Sequence, residues 1–193
     1  MEKNNDSLVE ARLPTKFGDF RLIAFPGDSE DKENLALIMG NLDGNILVRI
    51  HSECFTGDVL HSMRCDCGEQ LDLAMEKIAK EGSGIIVYLR QEGRGIGLVN
   101  KLKAYNLQDE GMDTVEANIA LGFGAELRDY RGATAILKSL GIKTIKLMTN
   151  NPAKVEELRK DGFDVEQITH RTEANDENRE YLRTKASKMN HKL

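Results

Sequence analysis

Residues 84–97 decide the fold, and they read GIIVYLRQEGRGIG. Residues 85–89 are a continuous apolar run, which predicts a strand covered on both faces of a sheet. Three closely spaced glycines follow, and Leu98, Leu102 and Tyr105 then recur at helical spacing. A buried strand, a glycine-rich loop and a helix in this order indicate the strand–helix alternation of an α/β fold.

The alternation extends on both sides of this stretch. Apolar residues between 71 and 78 form one face of a helix that ends near Gly82, and residues 133–140 form another such face. Asn151 and Pro152 supply an N-cap and a first-turn proline for a later helix. The remaining segments read as strands: 17–25, 35–39, 45–50, 145–148 and 163–168.

These patterns predict one mixed α/β (α+β) domain over residues 1–193. Its N-terminal part is β-rich, and strands and helices alternate after residue 68. Residues 171–193 are strongly charged. They predict a polar C-terminal helix that is either solvated or ordered against a partner subunit.

Composition excludes several classes of protein. The chain has 193 residues and a net charge of -5, from 27 Lys and Arg against 32 Asp and Glu, which argues against a globally basic nucleic-acid binder. No apolar run reaches the roughly 18 residues of a membrane span. The first six residues lack the apolar core of a secretory signal, so we expect a cytoplasmic protein without nucleic-acid or membrane partners.

All three cysteines, Cys54, Cys65 and Cys67, fall within fourteen residues. Thiolates are preferred ligands of Zn²⁺, and a Cys-x-Cys pair can supply two of them from one tight turn, which Gly68 eases. Three thiolates without a fourth cysteine leave one position for water, which is the arrangement that performs hydrolysis.

Two other interpretations of the cysteines stay open. They could be small buried hydrophobic residues, although the charged neighbours Arg64, Asp66 and Glu69 argue against a dry core. They could also form a closed structural zinc site with His51 or His61 as the fourth ligand.

Two strand ends have the composition of anion sites. Arg90 and Arg94 flank glycines before a helix, and Lys154 lies in the first turn of the helix that begins at Pro152. A plain glycine turn with solvated arginines and an exposed lysine would explain the same residues. Together with an open zinc site, they suggest a hydrolase that acts on a phosphorylated small molecule.

Four segments in order resemble GTP cyclohydrolase II, the enzyme that commits GTP to riboflavin synthesis. They are RIHSEC at 49–54, RCDCG at 64–68, RQEGRGIG at 90–97 and TNNP at 149–152. The similarity runs from about residue 11 to the C-terminus. We therefore expect no dihydroxybutanone phosphate synthase domain of the kind found in bifunctional relatives.

The resemblance implies a reaction and its cofactors. Cys54, Cys65 and Cys67 would hold one catalytic Zn²⁺, and the activated water would attack C8 of guanine and release formate. Pyrophosphate would be released by attack at the α-phosphate with Mg²⁺, giving 2,5-diamino-6-(5-phosphoribosylamino)pyrimidin-4-one. The resemblance also implies a homodimer.

It further implies site residues. Arg128 matches the residue described as nucleophile, Tyr105 matches an active-site tyrosine, and Glu126 stands where the family usually has the aspartate described as proton acceptor. The positions that bind GTP in the family correspond to Arg49, Ile50, His51, Ser52, Glu53, Gln70, Glu92, Gly93, Arg94, Thr114, Thr149 and Lys154.

Residue chemistry leaves alternatives to these roles. A guanidinium is hardly ever unprotonated, so Arg128 could instead stabilise charge on the phosphate, or pair at the surface with Glu126 or Asp129. Tyr105 could be a core residue beside Leu98 and Leu102. Because Glu126 departs from the pattern, a GTP-binding module without turnover is a rival hypothesis, and a zinc-stabilised structural or nucleic-acid-binding protein is a weaker one.

Overall fold

The computed structural model describes residues 8–29, 32–124, 128–188 and 192. Its central element is a mixed β-sheet. Its seven described strands are β1 (Glu10–Thr15), β2 (Gly18–Ser29), β3 (Lys32–Met39), β4 (Ile46–Ser52), β5 (Gly84–Leu89), β6 (Thr144–Met148) and β7 (Asp164–Ile168). They lie in the order β1-β2-β3-β5-β4-β6-β7. In this order, the neighbouring pairs among β1, β2, β3 and β5 are antiparallel. The neighbouring pairs among β5, β4, β6 and β7 are parallel.

Helices cover both faces of this sheet. The helices in the described residues are α1 (Phe55–Asp58), α2 (Cys67–Glu81), α3 (Gly97–Asp109), α4 (Thr114–Ala120), α5 (Arg131–Ser139), α6 (Pro152–Lys160) and α7 (Arg179–Lys188), with a 3₁₀ turn at Glu92–Gly95. Helix α2 ends where Gly82 adopts a left-handed conformation, with φ of 77°. Helix α6 begins where the Asn151 side chain accepts a hydrogen bond from the backbone N–H of Ala153.

Strand β5 has a core on each side. Ile85 and Val87 pack on one face, in the cluster that includes Leu137 of α5. Ile86 packs on the other face, in the cluster that includes Ile78 of α2. The predicted strand covered on both faces is therefore confirmed, and so is the mixed α/β class.

The structure contains three elements that the sequence patterns did not predict, namely β1, α1 and α4. Strand β1 is mostly exposed at the sheet edge, so it lacks an apolar alternation. Helices α1 and α4 have four and seven residues, too few to produce a periodic apolar face. Helix α4 is instead defined by a capping box between Asp113 and Glu116.

The charged C-terminal segment is not simply a solvated helix, whereas its ordering against a partner subunit stays a prediction. Its helix begins at Arg179 rather than near residue 171, and it packs against α4 of the same chain. Thr184 and Lys185 are buried, so one face of this helix is not solvated. No helix among the described residues has the length and apolar character needed to cross a bilayer.

Candidate active site

The predicted site residues gather at one edge of the sheet, where the parallel strands end. Strand β4 leads to Cys54, β5 leads to the turn at Glu92–Gly95, and β6 leads to residues 149–154. Because β5, β4 and β6 are adjacent and parallel, the loops after them meet. The carboxyl edge of a parallel sheet is the usual place for ligands in α/β proteins.

The three cysteines form a compact group of free thiols. Their sulfurs all lie within 4.8 Å of one another, and the Sγ atoms of Cys54 and Cys65 are 3.7 Å apart. Zn–S bonds of about 2.3 Å in a tetrahedral shell place two sulfurs about 3.8 Å apart, so the group fits Zn²⁺. Within the described chain, neither His51 nor His61 belongs to this group, which leaves the closed-site interpretation without a fourth ligand.

Two glycines permit this compactness. A Cβ on Gly57 would come within 2.9 Å of the Cys65 sulfur and 3.2 Å of the Cys54 sulfur. A Cβ on Gly68 would come within 2.3 Å of the carbonyl oxygen of Gly57. Helices α1 and α2 therefore approach each other closely only because both positions are glycine.

A lysine that the sequence analysis missed contacts the group of three thiols. The Lys101 Nζ lies 3.0 Å from the Cys54 sulfur and 2.9 Å from Glu92 Oε1. Burial alone would lower the pKa of Lys101, but Cys54 and Glu92 outweigh it and raise that pKa. Cys65 and Cys67 hold the pKa of the Cys54 thiol well below its usual range. A thiolate and an ammonium thus stabilise each other beside the sulfurs.

A buried carboxylate fixes the backbone at Cys54. Asp58 accepts hydrogen bonds from the Cys54 N–H at 2.9 Å and from the Tyr88 hydroxyl at 2.8 Å. The His51 Nε2 lies 3.0 Å from the same carboxylate. Burial lowers the pKa of His51 although Asp58 opposes the shift, so the imidazole is neutral near pH 7. His51 is therefore held by Asp58 rather than directed at the sulfurs.

The glycine–arginine loop directs an arginine inward. Gly93 and Arg94 both have left-handed backbone angles, with φ of 62° and 61°, a conformation that is strained for a non-glycine residue. The terminal nitrogens of Arg94 are buried and have no hydrogen-bond partner among the described residues. A buried, unpaired guanidinium indicates a ligand with an acceptor. The solvated-arginine interpretation is therefore wrong for Arg94.

One pocket, the cysteine pocket, opens beside the thiols. Tyr105 lines it, and its hydroxyl lies 3.3 Å from the Thr56 hydroxyl, so Tyr105 is not a core residue; Leu102 of the same helix is exposed. The side chains and backbone that line the pocket belong to Ser52, Glu53, Cys54, Arg64, Cys65, Cys67, Glu92, Gly93, Arg94, Ile96, Lys101, Ala104, Tyr105, Gln108, Thr114, Asn118, Arg128 and Tyr181.

A second pocket, the cation pocket, lies on the other side of Cys67. Its lining contains four cationic side chains and, among the described residues, no carboxylate. The lining residues are Arg49, His51, Ser52, Cys67, Gln70, Arg128, Tyr130, Thr149, Asn150, Asn151, Lys154, His170, Tyr181 and Lys185. Such a set suits a polyanion, because permanently charged forks and ammonium groups bind phosphate oxygens.

Buried cations in this pocket are held by backbone carbonyls. The Arg49 Nη1 donates to the Met148 carbonyl at 3.0 Å, and burial lowers the pKa of Arg49 to about 10, so it stays protonated near pH 7. The Lys154 Nζ donates to the Ile50 carbonyl at 2.9 Å and lies 4.8 Å from the Tyr130 ring centroid. Lys154 is 6% exposed, so the interpretation as an exposed lysine is wrong.

The two pockets share Ser52, Cys67, Arg128 and Tyr181. Arg128 therefore faces both the thiols and the cation pocket. The carboxylate of Asp129, one of its suggested surface partners, pairs with Arg131.

Most predicted substrate-binding residues line one pocket or the other. Ile50 differs, because its side chain lies in the hydrophobic core and only its carbonyl faces Lys154. Glu126, the predicted proton acceptor, lies outside the described residues. Lys101 and Tyr105 are four residues apart on α3, so their shared helical face was a usable signal. Tyr181 and Lys185 have the same spacing on α7, but no motif in that charged segment marked the helix as part of the site.

Comparison with known proteins agrees with this geometry. The family model described as GTP cyclohydrolase II matches residues 6–171. The chain is 55% identical over 186 residues to a protein named GTP cyclohydrolase-2 from Teredinibacter turnerae, covering 95% of this chain and 94% of that one. A GTP cyclohydrolase-2 from Histophilus somni is 50% identical over 187 residues, covering 95% and 87% of the two chains.

A longer relative has the same segment. The riboflavin biosynthesis protein RibBA from Salinispora tropica is 52% identical over 196 residues, which cover 100% of this chain and 49% of that protein. The family match spans the strands, the three cysteines, the glycine–arginine loop and the start of α6 that carries Lys154. A chain with this extent of similarity and this cysteine group belongs to the GTP cyclohydrolase II family.

Proposed function

We propose that this protein opens the guanine imidazole ring of GTP, the first step of riboflavin biosynthesis. Formate and pyrophosphate would leave, giving 2,5-diamino-6-(5-phosphoribosylamino)pyrimidin-4-one. The observation that carries the proposal is a pocket lined by three gathered thiols, one of which, Cys67, also lines a strongly cationic pocket. The names of the relatives, GTP cyclohydrolase-2 and a riboflavin biosynthesis protein, support the same reaction.

Cys54, Cys65 and Cys67 would hold one Zn²⁺ per chain. Zinc bound there with a fourth position open would supply Lewis acidity and lower the pKa of water towards neutrality. Lys101 would offset the excess negative charge of three thiolates, and Glu92 keeps the ammonium in place. The Phe55 N–H donates to the other Glu92 oxygen at 2.5 Å, which ties the glycine–arginine loop to the segment after Cys54.

The charge of the two pockets supports a separate location for each end of the substrate. The triphosphate, with Mg²⁺, would lie in the cation pocket against Arg49 and Lys154, where Gln70 and Thr149 add polar contacts. The base would lie in the cysteine pocket, where Ser52, Glu53, Glu92, Gly93, Arg94 and Thr114 offer donors and acceptors.

Arg128 would act where the two ends of the substrate meet. Because a guanidinium stays protonated, it is suited to stabilise charge that develops at the α-phosphate. Tyr105, beside Thr56 and Lys101, would orient groups around the thiols. The assignment of Glu126 as proton acceptor rests on the sequence alone.

The same proposal includes a cytoplasmic homodimer. Exposed large apolar side chains occur on α1, on the segment after it, and on α3 and α4; they are Phe55, Val59, Leu60, Met63, Val99, Leu102 and Ile119. Apolar surface of this kind favours a second copy of the chain as its partner. Free thiols at the site suit a reducing compartment.

The test is a product assay on zinc-loaded protein. GTP and Mg²⁺ should give formate and pyrophosphate, whereas ATP, which lacks the guanine amide and amine, should give neither. Zinc-loaded protein that binds GTP without releasing formate would instead select the binding-module hypothesis. Light scattering at several concentrations tests the dimer.

A further inference from the structure

The C-terminal helix α7 places a buried lysine against the active site. The Lys185 Nζ lies 2.5 Å from Asp66 Oδ1, and both side chains are nearly inaccessible to solvent. Asp66 lies between two of the three cysteines, Cys65 and Cys67. The segment matched by the family model ends at residue 171, before α7 begins, so that match assigns this lysine no role.

A chain of hydrogen bonds leads from Lys185 to the cation pocket. The second oxygen of Asp66 accepts from Gln70 Nε2 at 2.5 Å. Gln70 Oε1 in turn accepts from Arg49 Nη2, while Arg49 Nη1 is fixed by the Met148 carbonyl. Lys185 and Gln70 thus both donate to the Asp66 carboxylate, and Arg49 donates to Gln70. The series ends at a guanidinium in the pocket proposed for the triphosphate.

We propose that Lys185 is a positioning residue for triphosphate binding and acts through Asp66 and Gln70 on Arg49. This inference rests on the proposed function. A buried carboxylate requires a compensating cation, and Lys185 supplies it. In the part of the chain that the structure describes, loss of Lys185 would leave Asp66 with the Gln70 hydrogen bond and the charge of Arg49. The guanidinium would then be drawn towards Asp66 and away from an anionic ligand.

Helix α7 has other attachments that do not require Lys185. Lys188 of the same helix contacts Asp113 and Glu116 at the start of α4. Thr184 of the same helix is also buried, and α7 packs against α4. The loss of the Lys185 charge can therefore be separated from detachment of the helix.

The experiment measures KM, kcat, zinc content and GTP affinity for Lys185→Met in the full chain. We expect KM and the dissociation constant for GTP to rise about tenfold or more, with kcat changed less than about threefold and zinc content unchanged. Lys185→Arg, which keeps the cation, should recover much of the loss. The matched control is Arg183→Ala on the exposed side of α7, which should leave all four values unchanged.

A double-mutant cycle with Asp66→Asn separates positioning from a general structural role. If Lys185 acts through Asp66, Lys185→Met should add little to the KM of Asp66→Asn. Unchanged KM and affinity in Lys185→Met would overturn the inference, and so would effects that are fully additive with Asp66→Asn. Absence of formate from the wild-type protein would instead count against the proposed function, and GTP affinity would still test Lys185.

Discussion

The cysteine pocket and the cation pocket meet at Cys67, but they are built in different ways. The thiols come from one short segment, and the glycines at 57 and 68 fix their spacing by close backbone approach. The cation pocket collects side chains from β4, α2, the loops after β6 and β7, α6 and α7. The first depends on local crowding, whereas the second depends on the correct assembly of the whole sheet edge.

Because the two pockets are built differently, we expect substitutions in one pocket to impair a different property from substitutions in the other. Damage to the thiol group should remove metal and chemistry together, whereas damage to the cation pocket should weaken binding and leave the metal in place. Variants that affect one property without the other would support the division, and variants that always affect both would break it.

The largest effect is expected from Cys65→Ala. Removal of one of three thiolates should abolish stoichiometric zinc binding and reduce formate release by about a thousandfold or more. Elemental analysis and the formate assay measure the two consequences on the same sample. Ser139→Ala, which removes a hydroxyl that bonds the Ile136 carbonyl on α5, is a control for a small side-chain change away from both pockets. A Cys65→Ala protein with full zinc and rate would refute the ligand set.

A smaller loss is expected from Gly57→Ala, which keeps every ligand. The new Cβ would crowd the sulfurs of Cys65 and Cys54, so zinc affinity should fall about 10- to 100-fold. Competition with a coloured chelator measures this affinity. Gly44→Ala is the control, because its Cβ would meet nothing within 4 Å although its φ of 77° makes alanine strained. Equal losses in the two variants would show that crowding of the sulfurs is not responsible.

The same contrast explains what the sequence could predict. The thiols, the strand ends and the glycine–arginine loop lie in continuous segments, so spacing alone indicated them. Lys185 contacts Asp66 across 119 positions and lies in a segment whose composition reads as a solvated helix. His170 follows a short strand and reaches the carbonyl of Gln70, 100 residues away. Such contacts depend on strand order and helix docking, which local patterns do not encode.

A moderate effect on binding is expected from Lys154→Met. Methionine keeps an apolar stem of similar length but removes the charge, so KM for GTP should rise about tenfold. Zinc content should stay at the wild-type value, in contrast to Cys65→Ala. Lys160→Met on the exposed side of the same helix is the matched control. If zinc is also lost in Lys154→Met, the two pockets are not separable.

The smallest effect at neutral pH concerns His170, a fully buried residue of the cation pocket. Burial, with the nearby charge of Arg49, lowers the pKa of His170 to about 3, against an ordinary value of 6.5. Because the folded protein binds this proton less readily than the unfolded chain does, His170 makes the free energy of unfolding fall as pH drops from 6.5 towards 3. His170→Gln can still donate to the Gln70 carbonyl, and it removes the titration.

The expected result is therefore a weaker pH dependence of stability for His170→Gln, with little change in formate release at pH 7. Urea unfolding at several pH values between 4 and 7, at matched zinc content, measures the slope for both proteins. The carboxylates and thiols contribute equally to both curves, so the difference between the slopes belongs to the histidine. Identical slopes would mean that His170 binds its proton equally well in the folded and unfolded protein, and burial in the cation pocket would then not lower its pKa.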